Sequence, residues 1–395
     1  MKLWSPFDPS HIGNPYPMYE RLRREDPVHR SQTGEFIITR YADVRHVLKS
    51  SDFRSGNRLD WLTLGIEYFK NRDEDLGNIY KAVNSFVLFM NPPDHMTIRN
   101  FVMKAWDDRE VEGMITDVVE QQLQGLSGSF DVVKDFAQPV PALVICNILG
   151  IPIDEFEYLR ALGVKMVRSL DLYHSMKDLM ELNDASGEFV KYFTETIRRK
   201  PTKGLLGKLV SANEREKLLR EEQMISIAIF LFIAGEETTT NSISTALHDF
   251  IRTNTYQQLR TDPALLRTTA LEEFFRYNGP VHLLGRISKK ETKIGNEQIP
   301  INTPLTLAIA SANRDEEEFQ NAGSLNIHRA PNPHLAFGYG THFCLGEWLG
   351  KLQTRIALEK FISKFRNAKV EQQAITWQKN IAVRGMTSLI VNTEE

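Results

Sequence analysis

The run from Glu221 to Arg252 constrains this chain most, because it carries the longest helical pattern in the sequence, well beyond the ~11–12 residues of an average helix. Its first half, centred on Ile227 to Ala234, is apolar enough for the helix to be central, yet it falls short of the ~20 residues a membrane span needs. Midway the pattern stops at Gly235-Glu236-Glu237-Thr238-Thr239-Thr240. Burying two carboxylates and three hydroxyls costs free energy unless they are paired or solvated. Gly and Thr also weaken the intrahelical ladder, Thr by bonding back to carbonyls. Two readings fit: the helix surfaces there and shows a polar patch, or it is locally opened and holds water and an acid near a reaction centre.

A second unusual stretch is Phe337-Gly338-Tyr339-Gly340-Thr341-His342-Phe343-Cys344-Leu345-Gly346, which places one of two cysteines just before a helical run from Glu347 to Phe365. A thiolate near a helix N-terminus is stabilised by unpaired N–H groups and the helix dipole, so Cys344 suits a nucleophile or a metal ligand. Gly338, Gly340 and Gly346 let the backbone turn tightly and approach something flat and large. The ordinary alternative is a small core hydrophobe in a glycine-rich turn.

The apolar share of 42% and charged share of 25% are those of a soluble globular protein with a large core. A net charge of −3 gives no global reason to expect nucleic acid or an anionic membrane as partner. Cys146 and Cys344 cannot build a disulfide framework, and Met1 to Pro6 contains no apolar signal-peptide core, so a cytoplasmic location is expected.

The remaining pattern predicts a mainly α chain with small β-sheets. Helices are expected over Met18–Arg24, Tyr41–Leu48, from the Asn91-Pro92-Pro93-Asp94-His95 start to about Trp106, Glu110–Leu126 and Pro141–Leu149, with an irregular stretch between Ser55 and Met90. Glu35–Arg40 and the short segments between Gly285 and Ile309 read as strands of a mainly antiparallel sheet. Ile381–Met386 and Leu389–Val391 suggest a closing hairpin. His95 and Arg99 share a helix face, as do Glu273 and Arg276, and each pair alone reads as a surface pairing. His282 reads as a loop histidine facing solvent, with a polar contact to the pocket as the alternative.

Taken in order, the Asn91-Pro92-Pro93-Asp94-His95…Arg99 helix, Ala234-Gly235-Glu236-Glu237-Thr238-Thr239, Glu273-Phe274-Phe275-Arg276, Arg329 and the cysteine loop resemble a cytochrome P450 of the soluble bacterial type. The resemblance covers nearly the whole chain, and the loop matches the family's Phe-x-x-Gly-x-His-x-Cys-x-Gly. It implies a haem-thiolate fold over residues 1–395 as a single catalytic domain, with a long central helix crossing haem b. Cys344 would be the axial thiolate, tuned by amides of a loop that includes Gly338 and Gly346, and Phe337 would pack beneath the macrocycle. His95, Arg99, Arg286 and His342 match positions that hold the haem propionates. Glu273, Arg276 and Arg329 match a structural network. Glu237 and Thr238 match an acid–alcohol pair that relays protons during oxygen activation, with Ala234 and Gly235 leaving room for dioxygen.

What the resemblance implies in function is a monooxygenase that inserts one atom of O2 into an apolar small molecule, by hydroxylation or epoxidation in secondary or lipid-like metabolism. No flavin or iron–sulfur signature is fused to the chain, so electrons would come from a ferredoxin or flavodoxin-type donor with its reductase. Lys104, Lys351 and Arg355 are candidates for its docking patch. The enzyme would act as a monomer without membrane or nucleic acid. The pocket is expected to draw on Trp61, Leu62, Phe86, Leu88, Phe89, Leu170, Phe230, Ile233, Val281, Leu283, Leu284 and Val383. A peroxide-driven peroxygenase and a non-catalytic haem-thiolate sensor or carrier are the rivals, both disfavoured by the acid–alcohol pair. A zinc or thiol enzyme built on Cys344 lacks a second nearby cysteine. Three positions depart from the family's habits: Asn91 where Asp is frequent, which affects a turn cap at most, Glu236 where histidine is frequent, and Glu347 where alanine is common.

Overall fold

The computed structural model describes residues 4, 8, 10–32, 34–55, 76–106, 111–166, 169, 176–371 and 375–393. They form two compact units, one of Met1–Arg54, Ile115–Val140 and Thr238–Glu395, the other of Ser55–Met114 and Pro141–Glu237.

In the first unit a five-stranded sheet runs in the order Val28–Arg30, Phe36–Ile38, Pro304–Ala308, Leu283–Ser288, Phe53–Arg54. Only the pairing of Phe36–Ile38 with Leu305–Leu307 is parallel, and the expected antiparallel character holds elsewhere in the sheet. Phe36, Ile37 and Ile38 are all buried, the continuous apolar run of a strand covered on both faces. Val44, Val47 and Leu48 of the helix Tyr41–Lys49 pack with Phe36, Ile38, Leu305 and Leu307 in one core. A separate hairpin joins Thr292–Ile294 to Glu297–Ile299 through Gly295-Asn296, where Gly295 takes the positive φ of +55° that a two-residue turn requires.

The closing hairpin does not form as expected. Met386–Ser388 pairs with Thr376–Trp377, whereas Ile390–Asn392 pairs with both Ser129–Asp131 and Lys369–Val370. Asp131 explains the divergence: it accepts from the Leu389 N–H at 3.0 Å and the Ser388 hydroxyl at 2.8 Å, pulling the second strand onto its own. Gly385, just before these strands, has no room for a side chain, since a Cβ there would lie 2.0 Å from Asn241 Oδ1 on the long helix.

The second unit is helical. Met176–Arg198 buries Leu179, Leu182, Ser186, Phe189 and Phe193, a stripe at the 3.6-residue period. On the same helix the Asn183 amide oxygen accepts from the N–H groups of Asn78 and Ile79 at 3.1 and 3.2 Å, so one helix caps the orphan donors at the start of another, Gly77–Val83. Of the stretch expected to be irregular, residues 76–90 therefore contain this helix and a 3₁₀ turn at Val87–Phe89. Residues 56–75 lie outside the described residues.

The long helix spans Glu221–Arg252 as expected, 32 residues of unbroken α-helix. The expected local opening is absent from its hydrogen-bonded course, and the alternative of a surfacing polar patch fails too, because Glu236, Glu237, Thr239 and Thr240 are buried. The ladder is loaded instead: Ser242 Oγ donates to the Thr238 carbonyl at 2.8 Å and Ser244 Oγ to that of Thr240 at 2.9 Å.

Candidate active site

The cysteine loop folds back on itself. Gly338 and Gly340 take φ of +75° and +73°, which L side chains rarely adopt, and a Cβ on Gly340 would also meet the Leu48 carbonyl at 2.8 Å. Backbone bonds from Cys344 N–H to the Phe337 carbonyl, 2.9 Å, and from Phe343 to Gly340, 3.0 Å, close the turn. Cys344 is left exposed rather than buried, so the core-hydrophobe alternative fails. Gly346 leads into the helix Glu347–Lys364. The Phe337 ring lies 4.7 Å from that of Phe275, with the Lys351 ammonium 5.1 Å from its centroid.

Beneath the loop, Glu273 and Arg276 are fully buried rather than paired at the surface. Glu273 accepts from Arg276 Nε at 2.7 Å and Nη2 at 2.8 Å, from Arg329 Nε at 2.9 Å, from the Asn326 N–H at 2.8 Å and from Asn332 Nδ2 at 3.2 Å. Arg276 spends its remaining donors on the carbonyls of Asn313, Ala322 and Ser324 at 2.8–3.0 Å. Such saturation is what makes a buried ion pair tolerable. The Asn313 amide oxygen in turn takes the Leu335 N–H at 2.7 Å, tying the network to the start of the cysteine loop.

Arg286 on the strand Leu283–Ser288 is the opposite case. It is buried, its hydrogen bond goes to the adjacent Gly285 carbonyl at 2.7 Å, and no carboxylate pairs with it among the described residues. Burial alone pulls its pKa down to about 10. A buried guanidinium without an acid is a seat for an anion brought from outside the chain. His342 is half-buried at the end of the 3₁₀ turn Gly340–His342. In the other unit, His95 is buried and Arg99 half-buried, one turn apart on the helix Asp94–Ala105.

At the midpoint of the long helix the glycine has a different use from the one expected. A Cβ on Gly235 would lie 2.8 Å from Ile145 Cδ1, so its absence accommodates Ile145 of the helix Pro139–Leu149 rather than leaving open space. Glu236, the substituted position, turns its carboxyl against Gly163 of the helix Phe156–Met166: a Cβ there would meet Glu236 Oε2 at 2.7 Å. Burial first, then the charge of Glu237, pushes the Glu236 carboxyl well above its ordinary value, against a weaker pull from Arg160. Neither signal was available from the helix's own sequence.

The other departures also find partners. Asn91 does more than cap a turn: its amide oxygen accepts from Ser55 N–H at 2.9 Å and its NH₂ donates to the Ser55 carbonyl at 2.8 Å. An ionised Asp could make only the first bond. Glu347 pairs with Lys351, which also binds Glu272 at 2.8 Å. Burial would raise the Glu272 carboxyl, but hydrogen bonds from His334 and Lys351 outweigh it and hold the pKa down to about 2. Lys351 and Arg355, which pairs with Glu359 at 3.2 Å, are thus committed within the chain, whereas Lys104 is exposed.

Among the expected pocket residues, Trp61, Leu62 and Leu170 lie outside the described residues. Phe86 stacks on Phe89 at 5.9 Å and meets Phe230 at 5.1 Å, and Ile233 is buried one turn further along the long helix. Leu88 is half-buried in the 3₁₀ turn beside them. Val281 bridges to Val383 across two chain segments, beside buried Leu283. Leu284 packs instead on the core beneath the five-stranded sheet. His282 does not face solvent: it is buried 5.7 Å from Tyr16 and 6.0 Å from Tyr19, ring to ring, and burial holds its pKa well below the usual histidine range.

An exposed cysteine on a glycine-turned loop, with a buried arginine in the same unit that has no carboxylate partner among the described residues, fits an iron macrocycle carrying acidic side arms, the defining group of the haem-thiolate class. Residues 265–385 match the family described as Cytochrome P450. The chain is 34% identical to the cytochrome P450 YjiB of Bacillus subtilis (strain 168), over 96% of this chain and 93% of that protein. It is 30% identical to the biotin biosynthesis cytochrome P450 of the same organism, with 97% of each chain covered. Among solved structures, P450BioI in complex with hexadec-9Z-enoic acid ligated acyl carrier protein matches with a TM-score of 0.89 and 28% identity, covering 98% of this chain and 99% of that one. The chain therefore belongs to the cytochrome P450 family, oxidoreductases that act as monooxygenases and bind haem b through an axial cysteine thiolate. Its fold, mostly helical with small sheets, is that family's. No helix among the described residues is long and apolar enough to cross a membrane.

Proposed function

We propose that residues 1–395 act as one catalytic domain, a cytoplasmic monomer, and that it inserts one oxygen atom from O2 into an apolar small molecule of biosynthetic metabolism. The observation that carries the site assignment is the exposed Cys344 on its closed loop. Cys344 would hold the haem iron through its thiolate, with Gly338 and Gly346 shaping the loop, and Phe337 would pack against the macrocycle. Arg286, His342, His95 and Arg99 would neutralise the two propionates, and the lack of an acid paired with Arg286 among the described residues supports that role. Ala234 would offer the bound haem a small side chain from the long helix.

When bound, the haem supplies dioxygen binding and the oxidising power. The protein's part is to deliver protons and exclude water. The Thr238 Oγ1 hydroxyl donates its proton on the dioxygen side, and the Glu237 carboxyl replaces that proton, a general acid acting through an alcohol. Phe86, Phe89, Phe230 and Ile233, with Val281, Leu283 and Val383, give the substrate apolar surface. Two relatives support a chain-like or biosynthetic substrate: one is named for biotin biosynthesis and one was solved with a fatty acyl group on a carrier protein. Electrons come from a separate ferredoxin- or flavodoxin-type protein with its reductase, and exposed Lys104 offers it a cation.

The absorption spectrum of the reduced, carbon monoxide-bound protein tests the ligand: the thiolate-type band is expected in the wild type and lost in Cys344→Ala. A band that survives in the variant overturns the assignment. A screen of apolar compounds for the low- to high-spin shift of the haem then tests the substrate class, with fatty acyl chains expected among the responders.

A further inference from the structure

The proposed relay uses Glu237 and Thr238 but leaves unused a second buried acid, Glu236. Its surroundings look built for it. The helix Phe156–Met166 presents Gly163, whose missing side chain leaves a slot, and Glu236 Oε2 occupies it, with Phe232 lining the same slot 3.4 Å from a Cβ at Gly163. Three residues earlier on that helix, hence on the same face, stands Arg160. It pairs with exposed Glu157 at 2.8 Å and keeps about a third of its side chain in solvent. From the helix Pro139–Leu149 comes Cys146, buried, with its thiol pushed up to about 12 by burial and by the charges of Glu236 and Glu155. Among the described residues, the charges that act on the Glu236 carboxyl are those of Glu237, the next residue on its own helix, and Arg160, while its own charge acts on the Cys146 thiol; of these three only Arg160 is not buried.

We propose that Glu236 is a proton-holding residue acting through Glu237: a neutral carboxyl seated in the Gly163 slot that takes protons from water at the Arg160–Glu157 edge and passes them to Glu237. The step balances simply. The O–H bond of the Glu236 carboxyl breaks and an O–H bond forms on the Glu237 carboxylate. The Glu236 carboxylate left behind is stabilised by Arg160 until a proton from solvent water restores it. The need to keep Glu236 neutral between transfers is consistent with its burial beside Glu237, which pushes its pKa well above the ordinary value. The proposal rests on the relay role of Glu237.

Infrared spectroscopy of the holoenzyme in its resting state reads the proton without turnover. A protonated-carboxyl stretch is expected at pH 7, present in Glu237→Gln, absent in Glu236→Gln, and shifted in Gly163→Ala, where the added methyl displaces the carboxyl. In turnover, Glu236→Gln is expected to lower product per electron on the order of 10-fold, less than loss of a direct acid. It should also shift the pH profile of that ratio and enlarge the solvent deuterium isotope effect, while substrate affinity from the spin shift stays unchanged. A merely structural Glu236 would move none of these profiles. If the stretch persists in Glu236→Gln, or if the pH profile and isotope effect match the wild type while Glu237→Gln is uncoupled, this proposal alone is overturned. Coupling that survives Glu237→Gln overturns the relay and the proposal together.

Discussion

Two buried glutamates in this chain are treated in opposite ways. Glu273 sits among five hydrogen bonds, three of them from guanidinium groups, so its charge is answered on every side. Glu236 is also buried, but its carboxyl sits against a glycine, and the charges that act on it are those of the neighbouring acid and of an arginine that lies toward the surface. The first arrangement fixes a charge where it stands and serves architecture. The second makes charge costly and a proton cheap to hold, which is what a moving proton requires. Burial by itself therefore says little about a carboxylate's purpose; the number and sign of its partners says most.

Removing a partner from the saturated network should have the largest effect. Arg276→Ala strips buried Glu273 of two of its five hydrogen bonds and leaves Arg329 as its remaining guanidinium partner, and a loss of ~3–5 kcal/mol is expected, read as a collapse of haem content and of the thermal transition. A variant that folds and loads normally would erase the contrast between the two acids. Next comes the acid of the relay: Glu237→Gln should lower product formed per electron by roughly 10²-fold or more, measured as product against NAD(P)H consumed, with the reduced carbon monoxide spectrum unchanged.

Glu236→Gln should act on stability with the opposite sign. A carboxyl raised by burial is neutral in the folded state while the unfolded chain ionises above about 4.5, its ordinary value. The unfolded state then releases the proton, so the stability present below that pH is lost as pH rises, by up to ~1.4 kcal/mol per pH unit until the folded carboxyl ionises. The variant lacks this loss. Denaturant titrations from pH 4 to 8 should show it gaining on the wild type as pH increases; parallel curves would show that Glu236 is not held neutral. Asn332→Ala removes the longest of the five bonds to Glu273, at 3.2 Å, and should cost about 1 kcal/mol by the same titration at pH 7. Glu347→Ala, which breaks a pair with Lys351 near the surface, should change stability by less than ~1 kcal/mol.

What could be read from sequence followed the range of the signal. The long helix, the cysteine loop and the sheet strands are local: a 3.6-residue period, glycines at fixed spacing around a thiol, and β-branched runs between turns. The Glu273–Arg276 pair was visible at i,i+3, but its burial depends on Arg329, Asn326 and Asn332, more than fifty residues away. The slot at Gly163 was invisible, because a glycine in a helix announces only weakness until the carboxylate of a residue 73 positions later fills the gap. Gly235 misled for the same reason: its missing side chain is matched to Ile145, a partner no pattern within the helix names. The final strands read as a hairpin by their closeness in sequence, and Asp131 draws one of them elsewhere. His282 likewise reads as an ordinary loop histidine until Tyr16 and Tyr19 cover it.

The contact between Gly385 and Asn241 carries a consequence for inheritance and for engineering. With a Cβ at 385 set to fall 2.0 Å from the Asn241 amide, neither position is free to vary alone. Relatives that carry a side chain at the former should carry a smaller residue at the latter, as a correlated exchange. Chimaeras that graft the long helix of one family member onto the C-terminal strands of another should succeed or fail according to whether both halves of that pair come from the same parent.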